Sequence, residues 1–168
     1  MLFRMTIVKH HPGHQALRKG RVSIPNQIYL ITVCCNNKEK LFLDENAARV
    51  LSSTLHRVLQ NQNSKILAWV VMPDHMHLAL QLGEHETLGK TMNRINSCSA
   101  IAINKVIKRH SPVWQGAYHD HALRDDEQLF AAIKYLISNP IRAGLVERLG
   151  DYPYWNIGIA EPSEALLF

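Results

Sequence analysis

His75-Met76-His77 is the segment of this chain whose residue types and spacing most directly suggest chemistry, and it continues as Leu78-Ala79-Leu80-Gln81-Leu82. Side chains alternate along an extended strand, so Met76, Leu78, Leu80 and Leu82 share one face and His75, His77, Ala79 and Gln81 share the other. Two imidazoles two residues apart can both reach one divalent ion, while the apolar residue between them anchors the strand in a core. A second candidate lies between Asp126 and Asn139. There Leu129, Ala132, Ile133 and Leu136 form an apolar stripe, and Tyr135 and Asn139 lie off it, one helical turn apart. A tyrosine phenolate can attack a phosphodiester and form a covalent phosphotyrosine. An amide oxygen one turn away can complete a two-histidine site for a hard cation. A rival histidine pair stands at His119-Asp120-His121, where strand geometry puts both rings on one face and Asp120 on the other. Taken singly, each pattern also fits a structural residue: surface histidines beside a helix layer, or a helix tyrosine packing on its neighbour.

The elements that must position these groups can be read from periodicity. Ile28 to Cys35 is β-branched and aromatic and predicts a strand. Asp44 is placed to cap a helix to about Leu59, with Ala47, Val50, Leu51, Leu55 and Val58 on one face. Ile66 to Met72 is a fully apolar central strand, and the Pro73-Asp74 turn makes it a hairpin with the histidine strand. Thr87 to about Lys108 predicts a helix with Leu88, Met92, Ile95, Ala102 and Val106 inward. Val113 to Arg124 reads as a further strand. A helix capped by Asp125 or Asp126 runs to Ser138, where Pro140 stops it. The order β-α-β-β-α-β plus an extra helix predicts an α+β fold of the ferredoxin-like, split βαβ type. Its antiparallel sheet carries helices on one face and an added C-terminal catalytic helix. Residues 1–26 read as a basic N-terminal arm, 27–149 as the catalytic domain, and 150–168 as an irregular tail that packs its aromatics back. Trp69 and Trp114 belong to the core, and Tyr152, Tyr154 and Trp155 staple the tail rather than stack on bases.

Composition bounds the class. The chain has 168 residues, 46% of them hydrophobic and 20% charged, which suits one globular domain. No apolar run approaches the roughly 18 residues that span a bilayer. The first residues lack the apolar stretch of a secretory signal, and the three cysteines are odd in number, so a reduced cytoplasmic protein is expected. Cys34, Cys35 and Cys98 are read as packing residues without a catalytic role. The net charge of +5 is unevenly spread. Residues 1–38 hold Arg4, Lys9, Arg18, Lys19, Arg21 and Lys38 and no carboxylate. Residues 87–119 are also free of acid and carry Lys90, Arg94, Lys105, Lys108 and Arg109. Two basic tracts suggest a polyanion partner, although a solubilising surface would look the same. Ten histidines direct attention to metal or acid–base chemistry; His10, His11 and His14 fall in the arm and are discounted as ligands.

In combination the motifs become specific. The run Ala68-Trp69-Val70-Val71-Met72-Pro73-Asp74-His75-Met76-His77-Leu78, read with Tyr135-Leu136-Ile137-Ser138-Asn139-Pro140-Ile141-Arg142-Ala143-Gly144-Leu145-Val146, resembles the single-tyrosine HUH transposases, and among them the REP-associated tyrosine transposases. Gly20-Arg21 with Pro25, and Val113-Trp114-Gln115 before the Tyr-His-Asp-His-x-x-Arg segment, add to a resemblance that spans about residues 18 to 155. It implies His75 and His77 as metal ligands for Mg²⁺ or Mn²⁺, with Asn139 as the third, where the wider family has the longer glutamine. It implies Tyr135 as nucleophile, with a 5′-phosphotyrosine and a free 3′-hydroxyl as products of cleavage. His119, Asp120 and His121 would support the active site. The implied partner is single-stranded or hairpin DNA, as in repetitive extragenic palindromes, in a bacterial cytoplasm at the nucleoid. Arg18, Lys19, Arg21, Lys90, Arg94, Lys105 and Arg142 are the expected DNA contacts. No phosphate-binding G-x-x-x-x-G-K-[ST] loop is present, and the chemistry needs none, because the covalent link retains the energy of the broken bond. Two other readings share these features: a non-catalytic hairpin-binding regulator derived from a transposase, and a hydrolase in which the histidine pair activates water.

Overall fold

A computed structural model describes residues 23–158 apart from Asn61, Arg124 and Asp125. The strands β1 (Ile28–Cys35), β2 (Lys65–Met72), β3 (His75–Gln81), β4 (Trp114–Ala122) and β5 (Trp155–Ile157) form one sheet in the order β4-β1-β3-β2-β5. All four pairings are antiparallel. Helices α1 (Glu45–Arg57), α2 (Leu88–Val106), α3 (Asp126–Ile137) and α4 (Asn139–Arg142) complete the chain in the order expected for a split βαβ fold.

Alternation in β1 sends Tyr29, Ile31, Val33 and Cys35 into a core with Met76, Leu78 and Leu80 of β3 and with Ala47, Leu51, Leu55, Met92 and Ile95 of α1 and α2. The opposite face carries Ala68, Val70, Met72 and Ala79, which pack with Leu129, Ile133, Leu136 and Ile137 of α3. The two crossover helices therefore share one face, as the pattern predicts, and the added helix covers the other. Asp44 caps α1 by accepting from the Asn46 and Ala47 amides. Thr87 caps α2 by accepting from that of Lys90. The anticipated Asp125 cap of α3 and the arm residues 1–22, including Arg18, Lys19 and Arg21, lie outside the described residues.

Three expectations need correction. The buried line of α2 runs through Leu88, Met92, Ile95, Ser99 and Ile103, while Val106 is exposed. Ser99 can occupy the core because its hydroxyl donates to the Ile95 carbonyl at 2.7 Å and accepts from the Trp114 indole at 2.9 Å. Pro140 does not simply terminate a helix. α3 ends at Ile137 and Pro140 sits in the first turn of α4, where a missing N–H leaves nothing unsatisfied. The tail is not wholly irregular either, because β5 adds an edge strand to β2. Its aromatics do pack back: the Tyr152 hydroxyl donates to the Val71 carbonyl at 2.6 Å, and the Val71 amide donates to the Tyr154 carbonyl at 2.9 Å.

Candidate active site

The Pro73-Asp74 turn that presents the histidine strand is held from outside the hairpin. The Cys35 amide donates to the Asp74 carbonyl at 2.8 Å, and the Phe42 amide to that of Pro73 at 2.9 Å. His75 and His77 follow on the face of β3 that looks towards α3, and their Nε2 atoms stand 3.0 Å apart. The rings meet edge to face, with centroids at 4.7 Å and planes at 85°. Each Nδ1 has a partner of its own. Asp74 Oδ1 lies 2.5 Å from that of His75, and Thr32 Oγ1 lies 2.8 Å from that of His77.

This arrangement fits a divalent cation. With metal–nitrogen bonds of about 2.1 Å and the right angle of an octahedron, two ligating nitrogens would be about 3.0 Å apart. The observed Nε2 separation is that edge. Metal ligation also needs neutral imidazoles whose other nitrogens are held by outer partners. Burial pushes the pKa of His77 down to about 3, neighbouring His75 adds to the shift, and Asp74 opposes it. His77 is accordingly neutral at physiological pH. Among the described residues no cluster of three or more His, Cys, Asp or Glu side chains could hold a metal, so a third protein ligand among them would be of another residue type.

Asn139 is such a residue. It opens α4, directly after the end of α3, and its amide nitrogen donates to the Leu136 carbonyl at 2.8 Å and to the Tyr135 carbonyl at 3.3 Å. These are carbonyls that a helix end leaves without intrahelical partners. The nitrogen is thereby committed to the backbone, and Oδ1 is the atom a cation would use. Tyr135 is off the buried stripe and 38% exposed, as its spacing predicts. The Arg142 guanidinium carbon stands 4.1 Å from the centre of its ring, a cation–π contact. Tyr135 and Asn139 thus lie at the end of the helix that covers the histidine face.

His119 and His121 share that face. His119 is in register with Thr32, which is in register with His77, so the three residues form one row across β4, β1 and β3. His121 sits one row further along, opposite Leu30, and Asp120 alternates to the other side. Thr32 and Asp74 are the site residues that reading the sequence missed. Asp74 could have been found from its position next to His75 in the turn; Thr32 needed the pairing register of β1. The basic residues Lys90, Arg94 and Lys105 are exposed on α2, across the sheet from the histidines. Arg109 is engaged by both oxygens of Glu39, at 2.7 and 2.6 Å. Cys35 is buried and Cys34 half-buried, as expected of packing residues, whereas Cys98 is exposed on α2. No helix among the described residues is long and apolar enough to cross a membrane.

Comparison with known proteins agrees with these features. Residues 23–138, over two thirds of the chain, match the family model described as transposase, IS200 like. A Haemophilus influenzae relative named among the REP-associated tyrosine transposases is 26% identical over 137 residues, 76% of this chain and 77% of its own length. The REP-associated tyrosine transposase of Escherichia coli K12 is 25% identical over 135 residues, covering 80% of this chain and 78% of its own. The solved structure of a REP-associated tyrosine transposase bound to a REP hairpin shares the fold, with a TM-score of 0.67 and 24% identity over 80% of this chain and 79% of that one. The fold also recurs, at a TM-score of 0.50 and 13% identity over 90% of this chain and 84% of that one, in a bacterial tRNA(His) guanylyltransferase-like protein in complex with GTP. Fold alone therefore does not fix the chemistry. The family match, together with the histidine pair and the tyrosine helix on one sheet face, places this chain among the IS200-like transposases.

Proposed function

We propose that the chain nicks and rejoins single-stranded DNA at hairpin, REP-like sequences through a covalent 5′-phosphotyrosine, as a step of DNA transposition. The observation that carries this reading is the pair of Nε2 atoms 3.0 Å apart on the sheet face covered by the helix that bears Tyr135. His75, His77 and Asn139 would hold Mg²⁺ or Mn²⁺, which when bound supplies a Lewis acid for the scissile phosphate. Tyr135 Oη attacks the phosphorus, and the bond from phosphorus to the 3′ oxygen breaks as the tyrosyl–phosphorus bond forms. The phenol proton is lost and the departing oxygen gains one, giving a free 3′-hydroxyl. Attack by a 3′-hydroxyl on the phosphotyrosine reverses the step and joins strands without an external energy source. Arg142, stacked on the ring of Tyr135, sets a positive charge beside the phosphate's approach. Arg18, Lys19 and Arg21 would hold the DNA backbone, Lys90, Arg94 and Lys105 would meet only a stem that passes round the sheet to α2, and His119 and His121, but not Asp120, would line the histidine face. A hairpin target is supported by the relative whose structure contains one.

The test is a denaturing gel of end-labelled single-stranded hairpin DNA incubated with protein and Mn²⁺. The expected result is a covalent protein–DNA band that Tyr135→Phe abolishes while hairpin binding stays near wild type. His75→Ala and His77→Ala should each lose the metal-dependent band, and His119→Ala should retain part of it. Hairpin DNA that is retarded on a native gel yet never cut by the wild-type protein would instead indicate a non-catalytic regulator. Cleavage by Tyr135→Phe would remove this tyrosine as the nucleophile.

A further inference from the structure

Thr32 is a polar side chain on an otherwise apolar strand, IYLITVCC, and it is only partly buried. It sits directly opposite His77 in the antiparallel β1–β3 register, and its hydroxyl lies 2.8 Å from His77 Nδ1. On its other flank the strand register brings His119. Nothing in the packing of β1 calls for a hydroxyl here, since a valine has the same shape and the same strand preference.

The proton arithmetic of the histidine pair supplies the reason. The two Nε2 atoms face one another 3.0 Å apart. A cation held by both Nε2 atoms requires a lone pair on each. Each neutral ring then carries its proton on Nδ1. For His75 the acceptor is the Asp74 carboxylate, which can only accept. For His77 the acceptor must be Thr32, whose hydroxyl can donate to a bare Nδ1 or, after rotating, accept from a protonated one. We propose that Thr32 is a positioning residue that sets the Nδ1–H tautomer of His77 and so opens its Nε2 to a divalent cation. The inference rests on the assignment of His75 and His77 as metal ligands, and its test separates the two.

Isothermal titration of the full chain with Mn²⁺, without DNA, gives the affinity of wild type, Thr32→Val and Thr32→Ser. Loss of an outer partner to a metal-bound histidine typically weakens binding ten- to a hundredfold. The expectation is a loss of about that size for Thr32→Val and an affinity near wild type for Thr32→Ser. Long-range ¹H–¹⁵N spectra of the Mg²⁺-loaded wild type should show the His77 proton on Nδ1. Thr32→Val binding Mn²⁺ as tightly as wild type, or Thr32→Ser as weakly as Thr32→Val, overturns the role of the hydroxyl and leaves the metal site standing. Wild type that takes up no Mn²⁺ overturns both. If Thr32→Val does not fold, the Thr32→Ser titration and the wild-type ring spectrum decide, and a His77 proton on Nε2 in the Mg²⁺-loaded protein overturns the proposal.

Discussion

His77 is the residue at which position, ionisation and stability meet. Burial and the nearby His75 depress its pKa to about 3, whereas a histidine in an unfolded chain titrates near 6.5. Between those values the unfolded chain binds a proton that the native protein refuses. The resulting stability is full above about pH 6.5 and is lost as pH falls towards 3, at a rate of up to roughly 1.4 kcal/mol per pH unit. Urea unfolding of metal-free protein at several pH values between 7.5 and 4.5 should show this loss, and His77→Gln should lack that share of it. Parallel pH dependences for the two proteins would contradict the depressed pKa. The thiols behave oppositely, because a thiol is neutral before it ionises. Burial, with Asp74 adding, holds Cys35 up at about 12, and the same two causes raise Cys34. Both stay protonated at neutral pH, in keeping with packing rather than nucleophilic roles. The histidine pair was legible in the sequence because a period of two needs only local information. Thr32 was not, because what makes it matter is a partner 45 positions away.

At the scale of elements, legibility followed the same division. α1, β2 and β3 carry long, regular apolar patterns and were readable. The true inward line of α2 was hidden by Ser99, whose burial depends on the Trp114 indole of a distant strand. β5 is three residues long, and its status as a strand comes from the edge of β2 rather than from its own sequence. The exit from β3 allows an element-scale prediction. Gly83 is buried, its amide donates to Ser64 Oγ at 2.9 Å, and Ser64 in turn donates to the Glu86 carboxylate. A Cβ at position 83 would stand 2.5 Å from Asn63 Cβ and 2.7 Å from its carbonyl carbon. That clash is largely with backbone, so the start of β2 or the end of β3 must move. Gly83→Ala should cost about 1–3 kcal/mol in chemical denaturation, the usual range for overpacking. The histidines enter β3 at its other end, so Mn²⁺ affinity of the folded variant should remain close to wild type. An unchanged denaturation midpoint would mean that this junction has more room than the backbone indicates.

For the whole molecule the decisive quantity is where positive charge lies relative to the histidine face. α2 presents Lys90, Arg94 and Lys105 on the far side of the sheet, and Arg109 is neutralised by Glu39. Beside Tyr135, α4 contributes Arg142. On the proposed function, a hairpin with its scissile phosphate at Tyr135 would need further cations to hold its stem and flank, and the arm holds a concentrated supply. Residues 1–21 carry Arg4, Lys9, Arg18, Lys19 and Arg21 and no carboxylate. Each phosphate contact releases condensed counterions, so log affinity falls against log salt with a slope of roughly −0.7 per contact on single strands and −0.9 on duplex. A stem with an unpaired flank lies between these limits. If two or three of the five charges touch phosphate, removing residues 1–21 should flatten the slope by about 1.5 to 2.5 and weaken binding most at low salt. Fluorescence anisotropy of a labelled hairpin across a salt series measures this directly. Parallel lines for the full and shortened chains would exclude the arm. A combined Lys90, Arg94 and Lys105 to serine variant that flattens the slope instead would carry the stem round the sheet to α2.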